Sequence, residues 1–264
     1  MLTINRIYSI LDNEAPFIIS KEVVKNGGYD NSGIIINTHQ EINSVMFSLD
    51  LSIECVEKAK KLKCDTIITH HPAIYNPLSS LDVNDVASKA LIRAIEYKLN
   101  VISLHLNLDF AEDGIDQNLA KALGATDAKI LEKHYQNYGY GREFCLNKTT
   151  LFELLKKVKK ELGSKRVIYY GSKNFAFNKV ASFCGAGSSS ALKAINTGEC
   201  DAQVIVTSDA PHHVIKDIVE SGRALIIPTH YSAENYGFKK FYEKIASLTK
   251  GQILTYYFED KRYL

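Results

Sequence analysis

Two rhythms alternate along the chain. Val45–Leu49 (VMFSL) is an apolar run that stops at Asp50. The segment behind it, SIECVEKAKKLK, spaces Ile53, Val56, Ala59 and Leu62 at helical intervals, which predicts an amphipathic helix. Asp65–Thr69 (DTIIT) reads as the next strand, Asn84–Leu99 as the next helix, and Val101–Leu104 (VISL) as a third strand. A β-α-β-α-β order of this kind predicts a parallel sheet with helices on its faces.

The second half repeats the habit. Thr150–Leu162 is predicted to be a helix, and Arg166–Tyr170 and Phe175–Cys184 to be strands. Ser189–Asn196 begins another helix, while Gln203–Thr207 and Ala224–Ile227 are short buried strands on either side of the helix His213–Glu220. Residues 255–259 (TYYFE) read as a last strand. The stretch 131–149, with HYQNYGYGREF, has no clear period and reads as a connection between lobes. The expectation is an α/β protein: a two-lobed, three-layer α/β/α unit with largely parallel sheets, its lobes spanning 1–130 and 131–264.

Ligands of open parallel sheets collect outside the carboxyl ends of the strands. DTIIT is followed by His70 and His71, VISL by His105, Asn107 and Asp109, and ALII, after Pro228, by His230 and Glu234. Six of these seven are imidazoles or carboxylates, the common ligands of zinc, iron or manganese. If the chain is helical from Tyr231, His230 and Glu234 share one face of its first turn. His105 and Asp109 are also four apart, with LHLNLD open between helical and extended forms. Singly, each residue has an ordinary explanation as a polar group at a strand end or helix front. Their joint occurrence at three strand ends points to metal, and two carboxylates among neutral imidazoles would offset much of the charge of two divalent cations.

Two other segments carry weaker signals. CGAGSSSALK (184–193) places Gly185, Gly187 and Ser188 in a turn between strand and helix. Its backbone N–H groups, with Lys193 nearby, suit a phosphate or other anion, and equally a tight turn capped by serine. SDAPHHV (208–214) sets His212 and His213 beside Asp209, either facing the cleft or on the surface at a helix start.

Composition narrows the partners. Hydrophobic residues make up 45% and charged residues 23%, as in ordinary globular proteins. A net charge of +2 gives no electrostatic reason to expect nucleic acid or an anionic membrane. The cluster KKVKKELGSK reads as a solvated helix face. Five cysteines without a CxxC pair indicate neither a disulfide framework nor a thiolate zinc site, and suit a reducing, intracellular setting. Cys184 reads as a small buried hydrophobe rather than a nucleophile. No apolar stretch approaches the ~18–20 residues of a membrane span. The N-terminal pattern breaks too early for a signal peptide, so a cytoplasmic location is expected.

Together, ITHHP, SLHLNLD ahead of GIDQNLAKALG, and THYSAE resemble the GTP cyclohydrolase 1 type 2 homolog family, also called NIF-three-like proteins. YDNSG (29–33), SLDLS (48–52) and CGAGSS fit the family's other motifs, and the resemblance covers nearly the whole chain in order. It implies a NIF-three-like two-lobed unit, assembled as a toroidal homohexamer, with a dinuclear metal site facing the central cavity and no inserted middle domain. It implies His70, His71, Asp109, His230 and Glu234 as metal ligands, with Glu234 bridging two divalent ions (zinc, iron, manganese or nickel). His105 would be a ligand or lie just behind one. Leu106 in place of the usual threonine, and FAEDG in place of a glycine-rich stretch, bear on substrate preference rather than on metal. The implied activity is hydrolytic opening of the imidazole ring of GTP or a related nucleotide. The residues leave two alternatives open: a metal-binding assembly or regulatory protein without turnover, and a dinuclear phosphoesterase.

Overall fold

The alternation of buried runs and amphipathic helices carries through to a computed structural model, which describes Met1–Leu264. The chain begins with β1 (Leu2–Thr3), α1 (Ile4–Glu14), α2 (Phe17–Lys25), β2 (Gly33–Ile36) and β3 (Glu41–Ile42). It continues through β4 (Ser44–Ser48), α3 (Ile53–Lys61), β5 (Thr66–Thr69), α4 (Val86–Glu96) and β6 (Asn100–Ser103). After α5 (Leu106–Phe110) come α6 (Ile115–Leu123), β7 (Lys129–Tyr135), β8 (Tyr138–Thr150), α7 (Leu151–Leu162) and β9 (Val167–Tyr170). The last elements are β10 (Ala176–Ser182), α8 (Ser188–Asn196), β11 (Val204–Val206), α9 (His212–Glu220), β12 (Ala224–Pro228), α10 (His230–Leu248) and β13 (Leu254–Phe258). Two compact units result: Met1–Leu108 with Lys239–Glu259, and Asp109–Phe238 with Asp260–Leu264.

In the first unit the strands are ordered β13-β4-β5-β6-β2, with β2 antiparallel to β6 and the other pairings parallel. Every residue of β4, β5 and β6 is buried, so both faces of this sheet need cover. Met46, Ile67 and Val101 pack with Cys55, Val56 and Ala59 of α3 and Ala90 and Ala94 of α4. Phe47, on the alternate face of β4, meets Tyr242 of α10 with ring centroids 5.3 Å apart. The helices start where the sequence supplies caps: Ser52 accepts from the Cys55 N–H, and Asp85 from the N–H groups of Ala87 and Ser88.

In the second unit the order is β7-β8-β10-β11-β12-β9. Ala191 and Ala194 of α8 and Val214 and Ile218 of α9 pack on Ala181, Ile205 and Leu225. The helices α6 and α7 pack against β8, and α7 also against β12.

Three expectations need correction. Residues 131–149 are not a connection but most of the antiparallel pair β7–β8, closed at Tyr135 and Tyr138. Much of β7 is only partly covered, so it shows no apolar run for a sequence pattern to catch. The second sheet is accordingly mixed: only β10, β11 and β12 run parallel, while β7, β8 and β9 pair antiparallel. The division of the chain also falls at 108/109 rather than 130/131, so Asp109 lies in the second unit. Lys239–Glu259 return to the first unit, where β13 pairs with β4, Tyr256 opposite Met46.

Candidate metal centre

The first unit gathers three histidines beyond the ends of β5 and β6. The chain turns sharply after Thr69: the His71 N–H donates to Leu49 O at 2.9 Å, and Thr69 Oγ1 donates to His71 O at 2.8 Å. This turn lets adjacent side chains lie side by side, which an extended strand forbids. The His70 and His71 rings are 4.9 Å apart between centroids, and His105 lies 5.4 Å from His70 and 6.1 Å from His71. His70 is fully buried.

Each ring is held from behind. His70 Nδ1 lies 2.8 Å from Leu104 O, His71 Nδ1 2.6 Å from Asp50 Oδ1, and His105 Nδ1 2.7 Å from Asp30 Oδ1. A carbonyl or an ionised carboxylate only accepts, so Nδ1 carries the proton and Nε2 keeps its lone pair. Asp30 also accepts from Ser20 and Ser32. Burial pushes its carboxyl up, but the hydrogen bonds from His105, Ser20 and Ser32 outweigh burial and hold it below the usual range. It stays an acceptor.

The second unit carries the other donors. Asp109 sits in α5, so the stretch the sequence left open is helical from Leu106 onward, with Leu104 and His105 ahead of the helix. Asp109, Cys184 and Glu234, all buried, each bring a donor atom to within 4.8 Å of the others. The Cys184 thiol lies 3.4 Å from Asp109 Oδ1. His230 and Glu234 share the first turn of α10, as their spacing predicts, with His230 Nε2 3.0 Å from Glu234 Oε2. His230 Nδ1 lies 2.7 Å from Asp209 Oδ2, which repeats the arrangement seen behind His71 and His105. Burying two carboxylates this close is costly unless positive charge joins them. In the second unit, the His230 imidazole oriented through Nδ1, with the buried carboxylates and the thiol, supplies donors that fit divalent metal.

The CGAGSS turn shapes this pocket rather than presenting serines. Gly185 takes φ +56°, and a Cβ there would run into Glu234 Oε1. Gly187 is the N-cap of α8, whose first turn has no side-chain cap, and Ser188 is buried as its first residue. Lys193 is more than a turn further along and pairs with Glu132 at 3.0 Å, so it does not serve the turn as a cation. His212 and His213 are exposed on the first turn of α9, and the partner of His230 is their neighbour Asp209. Asn107 is buried with its amide donating to Ala15 O at 2.7 Å, a packing role.

Behind the turn lies a buried ion pair. Arg142 Nη1 is 3.0 Å from Asp116 Oδ2, and Asp116 Oδ1 accepts from the Cys184 N–H at 3.0 Å. Burial raises the Asp116 carboxyl to about 6 despite Arg142. Burial, and then the nearby Asp109, Asp116 and Glu234, push the Cys184 thiol well above its ordinary range. Sequence reasoning missed the orienting roles of Asp30, Asp50 and Asp209 and the placement of Cys184.

Comparison with known proteins finds relatives over nearly the whole chain. The sequence model of Duf34/NIF3 (NGG1p interacting factor 3) matches residues 2–261. A Clostridium perfringens protein named GTP cyclohydrolase 1 type 2 homolog is 27% identical over 248 residues, covering 92% of this chain and 91% of the relative. A Methanocaldococcus jannaschii protein of the same name is 32% identical over 222 residues, covering 83% of this chain and 86% of the relative. The crystal structure of Staphylococcus aureus hypothetical protein SA1388 superposes with a TM-score of 0.85 at 25% identity, covering 98% of this chain and 97% of that one. The fold is thus the three-layer α/β/α fold of NIF-three-like proteins.

Proposed function

The chain belongs to the Duf34/NIF3 family, and we propose that it binds two divalent metal ions through His70, His71, Asp109, His230 and Glu234. His105 joins them as a sixth donor or as support for His70. The observation that carries this reading is the common orientation of four rings. His70, His71, His105 and His230 each present Nδ1 to a carbonyl or carboxylate oxygen, at 2.6–2.8 Å. That is how proteins fix the tautomer of metal-ligating histidines. His39 serves as the contrast, with Nδ1 spent on the Thr38 hydroxyl and Nε2 on Asn100.

When bound, such ions act as Lewis acids and lower the pKa of a coordinated water toward neutrality. The chain's own part is to hold the imidazoles neutral and aimed, and to keep Asp109 and Glu234 in a buried pocket. Asp50 and Asp209 are half-exposed, so they also offer carboxylates between His71 and His230 and the solvent. The reaction class that follows is metal-dependent hydrolysis. The name borne by the curated relatives suggests ring opening of GTP or a related nucleotide as the substrate chemistry. Zinc, iron, manganese and nickel all suit the imidazole and carboxylate donors. A homohexamer would have a mass of six times 29.5 kDa, about 177 kDa, which light scattering reads directly.

The test is metal content followed by turnover. Purified protein should carry two ions per chain, and Glu234→Ala should lose most of them. Incubation with GTP should release formate, and the His70→Ala, His71→Ala double variant should not. Two ions without formate release would leave a metal-binding protein without this activity, and phosphate release in its place would identify a phosphoesterase.

A further inference from the structure

Cys184 belongs to none of the expected ligands, yet it occupies the middle of the second unit's donor set. We propose that Cys184 is a further ligand, a thiolate bound to the ion that Asp109 and Glu234 hold, so that this position selects borderline transition metals over manganese or magnesium. The inference rests on the metal reading above and goes beyond its ligand set.

The geometry is local and closed. Cys184 is the last residue before Gly185, and its backbone is pinned from two sides. Its N–H donates to Asp116 Oδ1 at 3.0 Å, and its carbonyl accepts from the Tyr140 hydroxyl. The side chain therefore has little freedom, and it points at the carboxylates: Sγ is 3.4 Å from Asp109 Oδ1 and within 4.8 Å of a Glu234 oxygen. Glu234 Oε2 in turn lies 3.0 Å from His230 Nε2. One sulfur and two carboxylates thus converge within a single compact unit, with His230 Nε2 beside one of the carboxylates, and sulfur, oxygen and nitrogen are the donor types that zinc, iron or cobalt takes. With no cation the sulfur keeps its proton and donates it to Asp109. A divalent ion reverses that preference, because a coordinated thiol gives up its proton, here to solvent. A buried cysteine acting only as filler would not need its sulfur among two carboxylates.

Cobalt(II) reports this directly, since a thiolate ligand adds an intense near-ultraviolet charge-transfer absorption that oxygen and nitrogen ligands lack. The probe is full-length protein loaded with cobalt in a Cys145→Ser background, which removes the one exposed cysteine. The expected result is a thiolate band at two cobalt ions per chain. Cys184→Ser should abolish the band, keep visible cobalt absorption from the remaining ligands, and weaken zinc binding roughly 10–100-fold. Manganese affinity should stay within about three-fold, as expected for a site whose thiolate is removed. Two bound cobalt ions with no such band in the cysteine-containing protein would overturn the proposal and leave the dinuclear reading standing. Failure to bind cobalt at all would overturn both. The spectrum of the cysteine-containing protein decides the question even if Cys184→Ser proves unstable.

Discussion

Replacing Arg142 by methionine probes the charge balance behind the pocket. Asp116 is fully buried, and its folded pKa is about 6 against an ordinary value of 3.8. Those two pKa units amount to about 3 kcal/mol by which the folded state prefers the neutral acid. The sign follows from proton binding: between 3.8 and about 6 the folded chain holds a proton that the unfolded chain has released. This stabilisation is present below pH 3.8 and is lost as pH rises through 6. Arg142 supplies the compensating charge at 3.0 Å and also donates to Gly139 O and Gly141 O.

In Arg142→Met, the Asp116 charge has lost its partner. At pH 8 the expected cost is about 3–5 kcal/mol, as for breaking a buried ion pair on one side. At pH 5 Asp116 takes up a proton, and the cost should fall to the two lost carbonyl contacts, roughly 1–3 kcal/mol. Urea denaturation of metal-free protein at both pH values measures the difference. Asp116→Asn supplies the reference, because the gap between it and the parent protein should shift by about 1.4 kcal/mol between pH 5 and pH 8, the part of the linkage that lies above pH 5. If Arg142→Met costs the same at pH 5 and pH 8, charge burial is not what Arg142 relieves, and this reasoning is refuted.

Other outcomes follow from the same contacts. Asp30→Asn replaces the acceptor behind His105 and should weaken metal binding roughly 10–100-fold by competition titration, whereas His39→Ala should leave it unchanged. Gly185→Ala drives a Cβ into Glu234 at φ +56° and should lower both metal content and thermal stability. Gly198→Ala, at φ +75° with open space around it, should cost only about 1 kcal/mol of backbone strain and bind metal normally. Cys145→Ser, at an exposed thiol outside the pocket, should leave metal content at the parent level by elemental analysis.

The proposed ligands were visible in the sequence and the aspartates behind them were not, for a reason that lies in the sheets. His70, His71, His105 and His230 each follow a short apolar run, so contiguous sequence marks them. Asp30, Asp50 and Asp209 stand 75, 21 and 21 residues from the rings they hold, beyond the reach of any helical or strand period. Strand order supplies what periodicity cannot. Asp50 follows β4, the parallel neighbour of β5 that ends at His70 and His71. Asp209 follows β11, the parallel neighbour of β12 that leads to His230. Asp30 precedes β2, and because β2 runs antiparallel to β6, its start lies beside the end that delivers His105, with Gly33 opposite Ser103. A histidine after one strand and an aspartate at the same end of its neighbour therefore make one unit, used three times. Cys184 follows that logic too, since it lies just past β10, the other parallel neighbour of β11. Read alone it is one more small apolar residue, and only the turn that buries it beside Asp109 and Glu234 gives its sulfur a chemical role.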